Sequence, residues 1–165
     1  MRIQVLRLAA AVVILAGVAL AQKKYTGPRP PKPDVPYIVH AGKLVETESN
    51  TATESQGKDG AIYTVPGTTS SAKTPMPEPI MIFQSDKINP DRLSLYKMEV
   101  KGGSRSLVIP PAGKRGKKDA VRPLFLMVTP LAPSLFKVEV NEVIGDGEYC
   151  LSPEGSNQVF CFTTY

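Results

Sequence analysis

Apolar and polar residues alternate along this chain in short runs, and no long stretch repeats at the three-to-four-residue spacing of an amphipathic helix. Such runs predict strands at Tyr37–Val39, Leu44–Val45, Ala61–Val65, Ile80–Phe83, Leu93–Val100, Arg105–Ile109, Leu124–Thr129, Leu135–Val140, Glu148–Leu151 and Gln158–Phe162. Turn residues fall between them. His40-Ala41-Gly42-Lys43 and Gly102-Gly103 read as hairpin turns. Asn89-Pro90-Asp91 places an N-cap residue before a proline, which predicts a single helical turn. Two polar stretches, Glu46 to Gly60 and Thr68 to Pro79, show no apolar period and read as long exposed loops.

About 8–10 short strands at regular spacing predict an all-β domain over residues 37–165, an antiparallel β-sandwich of Ig-like or related type. Its expected core is Ile80, Ile82, Leu95, Tyr96, Met98, Val100, Leu124, Leu126, Phe136, Val138, Val140, Tyr149, Leu151, Phe160 and Phe162. Ser94–Val100 and Ser134–Val140 share five of seven residues. That echo suggests a duplicated strand pair, although any two half-buried strands share the period of two.

The closing hairpin can be read residue by residue. If Gly155-Ser156 is its tip, Leu151 faces Phe160 and Tyr149 faces Phe162 on one apolar side. Cys150 then faces Cys161 on the other side, with Ser152 and Val159. A two-residue tip puts the cysteines at a wide, hydrogen-bonded site. A four-residue loop, Glu154 to Asn157, gives the closer site but asks Pro153 for an amide hydrogen that it lacks.

The chain's first residues change the picture. Arg2 and Arg7 precede an apolar stretch, Leu8 to Ala21, that ends in Ala19-Leu20-Ala21. This is the pattern of a secretory signal peptide over residues 1–21, with a mature start at Gln22. Its 14 apolar residues fall short of the roughly 20 of a membrane span. Membrane contact is therefore expected through the signal alone, and its short basic start and Ala-rich middle look bacterial. Export places the protein in the periplasm, at the cell surface or outside the cell, where Cys150 and Cys161 are expected to form a disulfide. Residues 22–36 contain the segment GPRPPKPDVP, which forbids helix and predicts an extended, semi-rigid stem.

Composition then narrows the chemistry. The net charge of +5 becomes +3 without the signal, too small an excess for a dedicated nucleic-acid binder. No nucleophile elbow, Gly-rich phosphate loop or CxxC pair occurs, and His40 is the only histidine. No cofactor and no metal site are expected, because ligands for zinc are scarce and no calcium-loop spacing is present. The most concentrated feature is Lys114-Arg115-Gly116-Lys117-Lys118. Lys114, Arg115, Lys117 and Lys118 could grip a polyanion, or simply solvate a sheet edge. The expectation is an exported, non-enzymatic binding or structural module of the cell envelope that contacts an anionic polymer or a protein partner. The alternative is an extracytoplasmic hydrolase with a loop-borne site built from carboxylates such as Glu46, Glu48, Glu78 or Asp86.

Overall fold

A computed structural model describes residues 24–111 and 121–165. The signal segment and the cluster Lys114, Arg115, Lys117 and Lys118 lie outside the described residues. The described chain is all-β, with one short 3-10 turn. Its strands are β1 (Pro36–His40), β2 (Lys43–Glu46), β3 (Glu48–Thr51), β4 (Thr53–Gln56), β5 (Ala61–Pro66), β6 (Lys73–Thr74) and β7 (Ile80–Gln84). After the turn Pro90–Arg92 come β8 (Leu93–Lys101), β9 (Ser104–Ile109), β10 (Leu126–Ala132), β11 (Leu135–Val140), β12 (Gly147–Pro153) and β13 (Gln158–Thr164).

Thirteen strands exceed the expected eight to ten. The additional ones, β3, β4 and β6, are polar and short. Glu46–Gly60 is therefore not a long loop: it carries β3 and β4. Strands at sheet edges need not alternate apolar residues, because much of their surface faces water, and all four residues of β4 are exposed. The predicted turns hold. Both hairpin loops, Ala41-Gly42 and Gly102-Gly103, have two residues at positive φ, as a type I′ turn requires. Asn89 caps the 3-10 turn by accepting from the Asp91 amide.

The strands form two sheets. One has five strands in the order β10-β11-β7-β1-β2. The other has eight, in the order β3-β13-β12-β8-β9-β5-β4, with β6 added in parallel beside β13. All remaining pairings are antiparallel. The eight-stranded sheet cannot be flat. Its edge strands β3 and β4 are consecutive in the chain and separated by Ala52 alone, so the two edges must come together there. The sheet curls into a half-barrel.

The curl gives the central strands two buried faces. Odd-numbered Leu93, Leu95, Tyr149 and Leu151, with Phe160 and Phe162, pack against Ile38, Met81, Phe83, Val138 and Val140 of the five-stranded sheet. Met98, Cys150, Val159 and Cys161 face the inside of the half-barrel, with Ala52, Val65 and Leu107. The single expected core is thus two cores, and Ile80, Ile82 and Phe136 lie outside both. Tyr96 and Met98 belong to the second, because neighbours in a strand point to opposite faces. Val100 belongs to neither and is 51% exposed, because β8 runs past the end of β12 to reach its hairpin with β9. The echo between Ser94–Val100 and Ser134–Val140 does not mark a repeated pair. β11 lies beside β10, whereas β8 lies in a different sheet from β7.

The end of the proline-rich stretch is tied to the domain. Tyr37 faces away from the inter-sheet core, being next to inward-facing Ile38, yet it is buried. Its hydroxyl donates to Glu46, which also accepts from Lys32. Asp34 donates its amide to the Gln84 carbonyl and accepts from the Ser85 hydroxyl.

These assignments separate two substitutions that the alternation alone treats alike. Leu95→Ala, at a fully buried position between the sheets, is expected to cost about 2–5 kcal/mol in denaturant unfolding. Val100→Ala is expected to stay within about 0.5 kcal/mol.

Candidate functional site

The inside of the half-barrel is the candidate site, and it is built in three levels. The middle level is the disulfide. Cys150 and Cys161 face each other across β12 and β13 and are bonded, with Cα atoms 4.0 Å apart. That is the close, non-hydrogen-bonded spacing, so the hairpin takes the four-residue loop Glu154–Asn157. Paired register stops at Leu151 and Phe160. Pro153 therefore needs no amide hydrogen. Its carbonyl accepts from the Ser156 amide, and the Gln158 amide donates to the Ser156 hydroxyl. As expected, the cysteines lie on the face opposite Tyr149, Leu151, Phe160 and Phe162.

One end of the half-barrel is closed by charge. Arg105 on β9 is the largest fully buried side chain among the described residues, at 1% exposure. Its Nη2 lies 2.6 Å from Glu48 Oε1 on β3 and donates to the Pro66 carbonyl at 2.8 Å. Its Nε donates to the Gly67 carbonyl at 3.2 Å. Nη1 makes no hydrogen bond and sits 3.6 Å from Glu148 Oε2 on β12. Glu148 is held in turn by the Ser70 amide and the Thr163 hydroxyl. Burial pushes the Glu48 carboxyl up, but the Arg105 hydrogen bond, aided by the Ser71 amide and the Ser70 hydroxyl, outweighs it and leaves the group below its usual range.

The other end is open. A cavity of about 390 Å³ extends from the disulfide level to the loop Glu154–Asn157. Tyr63, Tyr96, Met98, Leu107, Ile109 and Val159 form most of its apolar wall. Glu54, Ser94, Ser152 and Asn157 supply polar groups. Glu54 stands directly across from Tyr63, and Tyr63 from Leu107, so a carboxylate, a phenol and an apolar side chain sit in one row. A second cavity on the outside of the wall shares Met98 and Leu107 with the first. It lies where β8 and β9 part, since their pairing ends at Glu99 and Ser106.

The carboxylates considered as a hydrolytic set are not brought together. Glu46 is on β2 in the five-stranded sheet, bonded to Lys32 and Tyr37. Glu48 is committed to Arg105 in the other sheet. Asp86 accepts from the Ser134 hydroxyl, and Glu78 is exposed in the segment before β7. His40 ends β1 opposite Lys43. Among the described residues no group of three or more His, Cys, Asp or Glu could hold a metal ion. No described helix is long and apolar enough to cross a membrane. Comparisons with protein-family models, with curated proteins and with solved structures find no match.

The Arg105 cluster and the cavity are the features that sequence reasoning missed. Their signal was present as phase: Arg105 alternates in step with Leu107 and Ile109, and Glu148 with Cys150. A charge in phase with apolar residues on a two-sided strand points inward.

Two measurements follow from this site. Arg105→Met leaves buried Glu148 and half-buried Glu48 without their cation and is expected to cost about 3–5 kcal/mol at neutral pH. In the parent protein, Glu48 has a lowered folded-state pKa, so its contribution is present above the ordinary value of 4.5 and disappears as pH falls through the folded-state value. Without the guanidinium, Glu48 takes up a proton at higher pH and stops being an uncompensated charge. The gap between parent and variant in urea unfolding is therefore expected to narrow from neutral pH towards about pH 4. Separately, reducing the disulfide, whose cysteines are 11 positions apart, is expected to cost about 2–3 kcal/mol by the chain-entropy relation.

Proposed function

We propose that this protein is an exported binding module whose ligand enters the open end of the half-barrel. The cavity carries this reading. It is concave, with an apolar wall and polar groups from Glu54, Ser94, Ser152 and Asn157, and its volume falls within the range of about 300–1,000 Å³ found for small-molecule sites. Export is supported by the basic, apolar and A-x-A pattern of residues 1–21 and is consistent with the disulfide. The five-stranded sheet facing the half-barrel is read as a sandwich in which one layer has curled. In that arrangement the flat layer gives rigidity and the curled layer gives the site. A function by binding, in the periplasm or at the cell surface, accords with carboxylates that are dispersed or committed to ion pairs.

A contact with an anionic polymer through Lys114, Arg115, Lys117 and Lys118 is a separate part of the reading and rests on sequence alone. Salt-sensitive binding to envelope fractions, lost when all four become Ala, would support it. Binding that ignores both salt and the substitutions would remove it.

The cavity itself is tested with a neutral naphthylamine fluorophore. Saturable fluorescence enhancement is expected, and Ser94→Phe, which grows a ring into the cavity from a half-buried position, is expected to weaken it about tenfold or more. Enhancement that Ser94→Phe leaves unchanged would place the probe elsewhere and remove the reading.

A further inference from the structure

The charge of the lumen's ligand is written in its rim, provided that the lumen is the binding site as proposed above. The chain as a whole is basic, at +5. Yet among the described residues the cavity wall holds two carboxylates, Glu54 and Glu154, and no Lys, Arg or His. Glu154 is paired with Arg92. Glu54 forms no ion pair with any described residue. It is exposed on the edge strand β4, and its register partner across β5 is Tyr63.

Two phenol rings share this space. Tyr63 and Tyr96 both line the cavity, Tyr96 from the β8 wall opposite Cys150. Intramolecular partners are found by the hydroxyls of Tyr25, Tyr37 and Tyr149, but among the described residues not by those of Tyr63 or Tyr96. An electron-rich ring attracts a cation to its face, and a carboxylate beside it adds charge attraction without restricting the cation's geometry. Beside them Leu107, in the row of Glu54 and Tyr63, together with Met98 and Val159, has nothing to offer a charge and suits hydrocarbon.

We infer that the lumen takes a small cationic amphiphile, an alkylammonium. Its ammonium group sits at the rim between Glu54 and the rings of Tyr63 and Tyr96. Its hydrocarbon chain lies against Met98, Leu107 and Val159. An anion of the same shape meets Glu54 as a like charge and is disfavoured.

The test is calorimetric titration of the chain with three ten-carbon probes that differ in their head: decyltrimethylammonium, decanoate and decanol. Decyltrimethylammonium is expected to bind about tenfold tighter than decanoate. In Glu54→Gln the ratio of ammonium to decanol affinity is expected to fall towards one. Glu54 is on an exposed edge strand, so this substitution leaves both cores intact. Ser94→Phe serves as the blocked lumen, and ammonium binding that survives in it overturns the inference. Decanoate binding as tightly as the ammonium overturns it as well, as does a preference that Glu54→Gln leaves unchanged. Decanol binding without discrimination between the charged probes removes only this inference. Failure of all three probes removes the lumen as a site and this inference with it.

Discussion

A single residue, Ala52, joins two strands that lie at opposite edges of one sheet. A strand cannot be at both edges of a flat sheet within one residue, so the sheet must bend until its edges meet. Arg105 and Glu48 measure the bend. β9 and β3 are four places apart in the strand order, about 19 Å if the sheet were flat. Their side chains instead meet at 2.6 Å. An interior follows from that closure, and so do its contents: a charged plug at one end, a disulfide in the middle and an open cavity at the other.

The same closure explains why β8, β12 and β13 carry apolar residues on both faces. One face seals the two sheets together through Leu95, Leu151, Phe160 and Phe162. The other lines the lumen. The disulfide rests on the lumen face at the joint between these layers. It fixes the β12–β13 hairpin whose loop, Glu154–Asn157, forms part of the rim. The buried Arg105 triad adds little net stability by pairing alone, because desolvation opposes it. It ties β9 to β3 and β12, which the curl brings together.

Much of this was legible in the sequence, for physical reasons that can be named. β11 alternates from Phe136 onward, and its bounds, Leu135–Val140, are those the sequence pattern predicts. The cysteine register was legible because facing residues across a hairpin have a constant sum of numbers. β3 and β4 were not legible, since Glu48–Thr51 and Thr53–Gln56 present polar side chains at sheet edges. The lumen escaped notice because two-sided burial looks like noise when only one core is sought. Tyr96 and Leu95, adjacent in β8, point apart and so belong to different cores. The run Val159-Phe160-Cys161-Phe162, apolar at every position, was the clearest sign of a strand buried on both faces.

Closure of the eight-stranded sheet is tested most directly by a double-mutant cycle between Arg105→Met and Glu48→Gln, read by denaturant unfolding. The curled sheet requires the two substitutions to be coupled by about 1–3 kcal/mol, since each side chain meets the other across the lumen. Additivity within about 0.3 kcal/mol would place the two residues out of contact and contradict the closed interior.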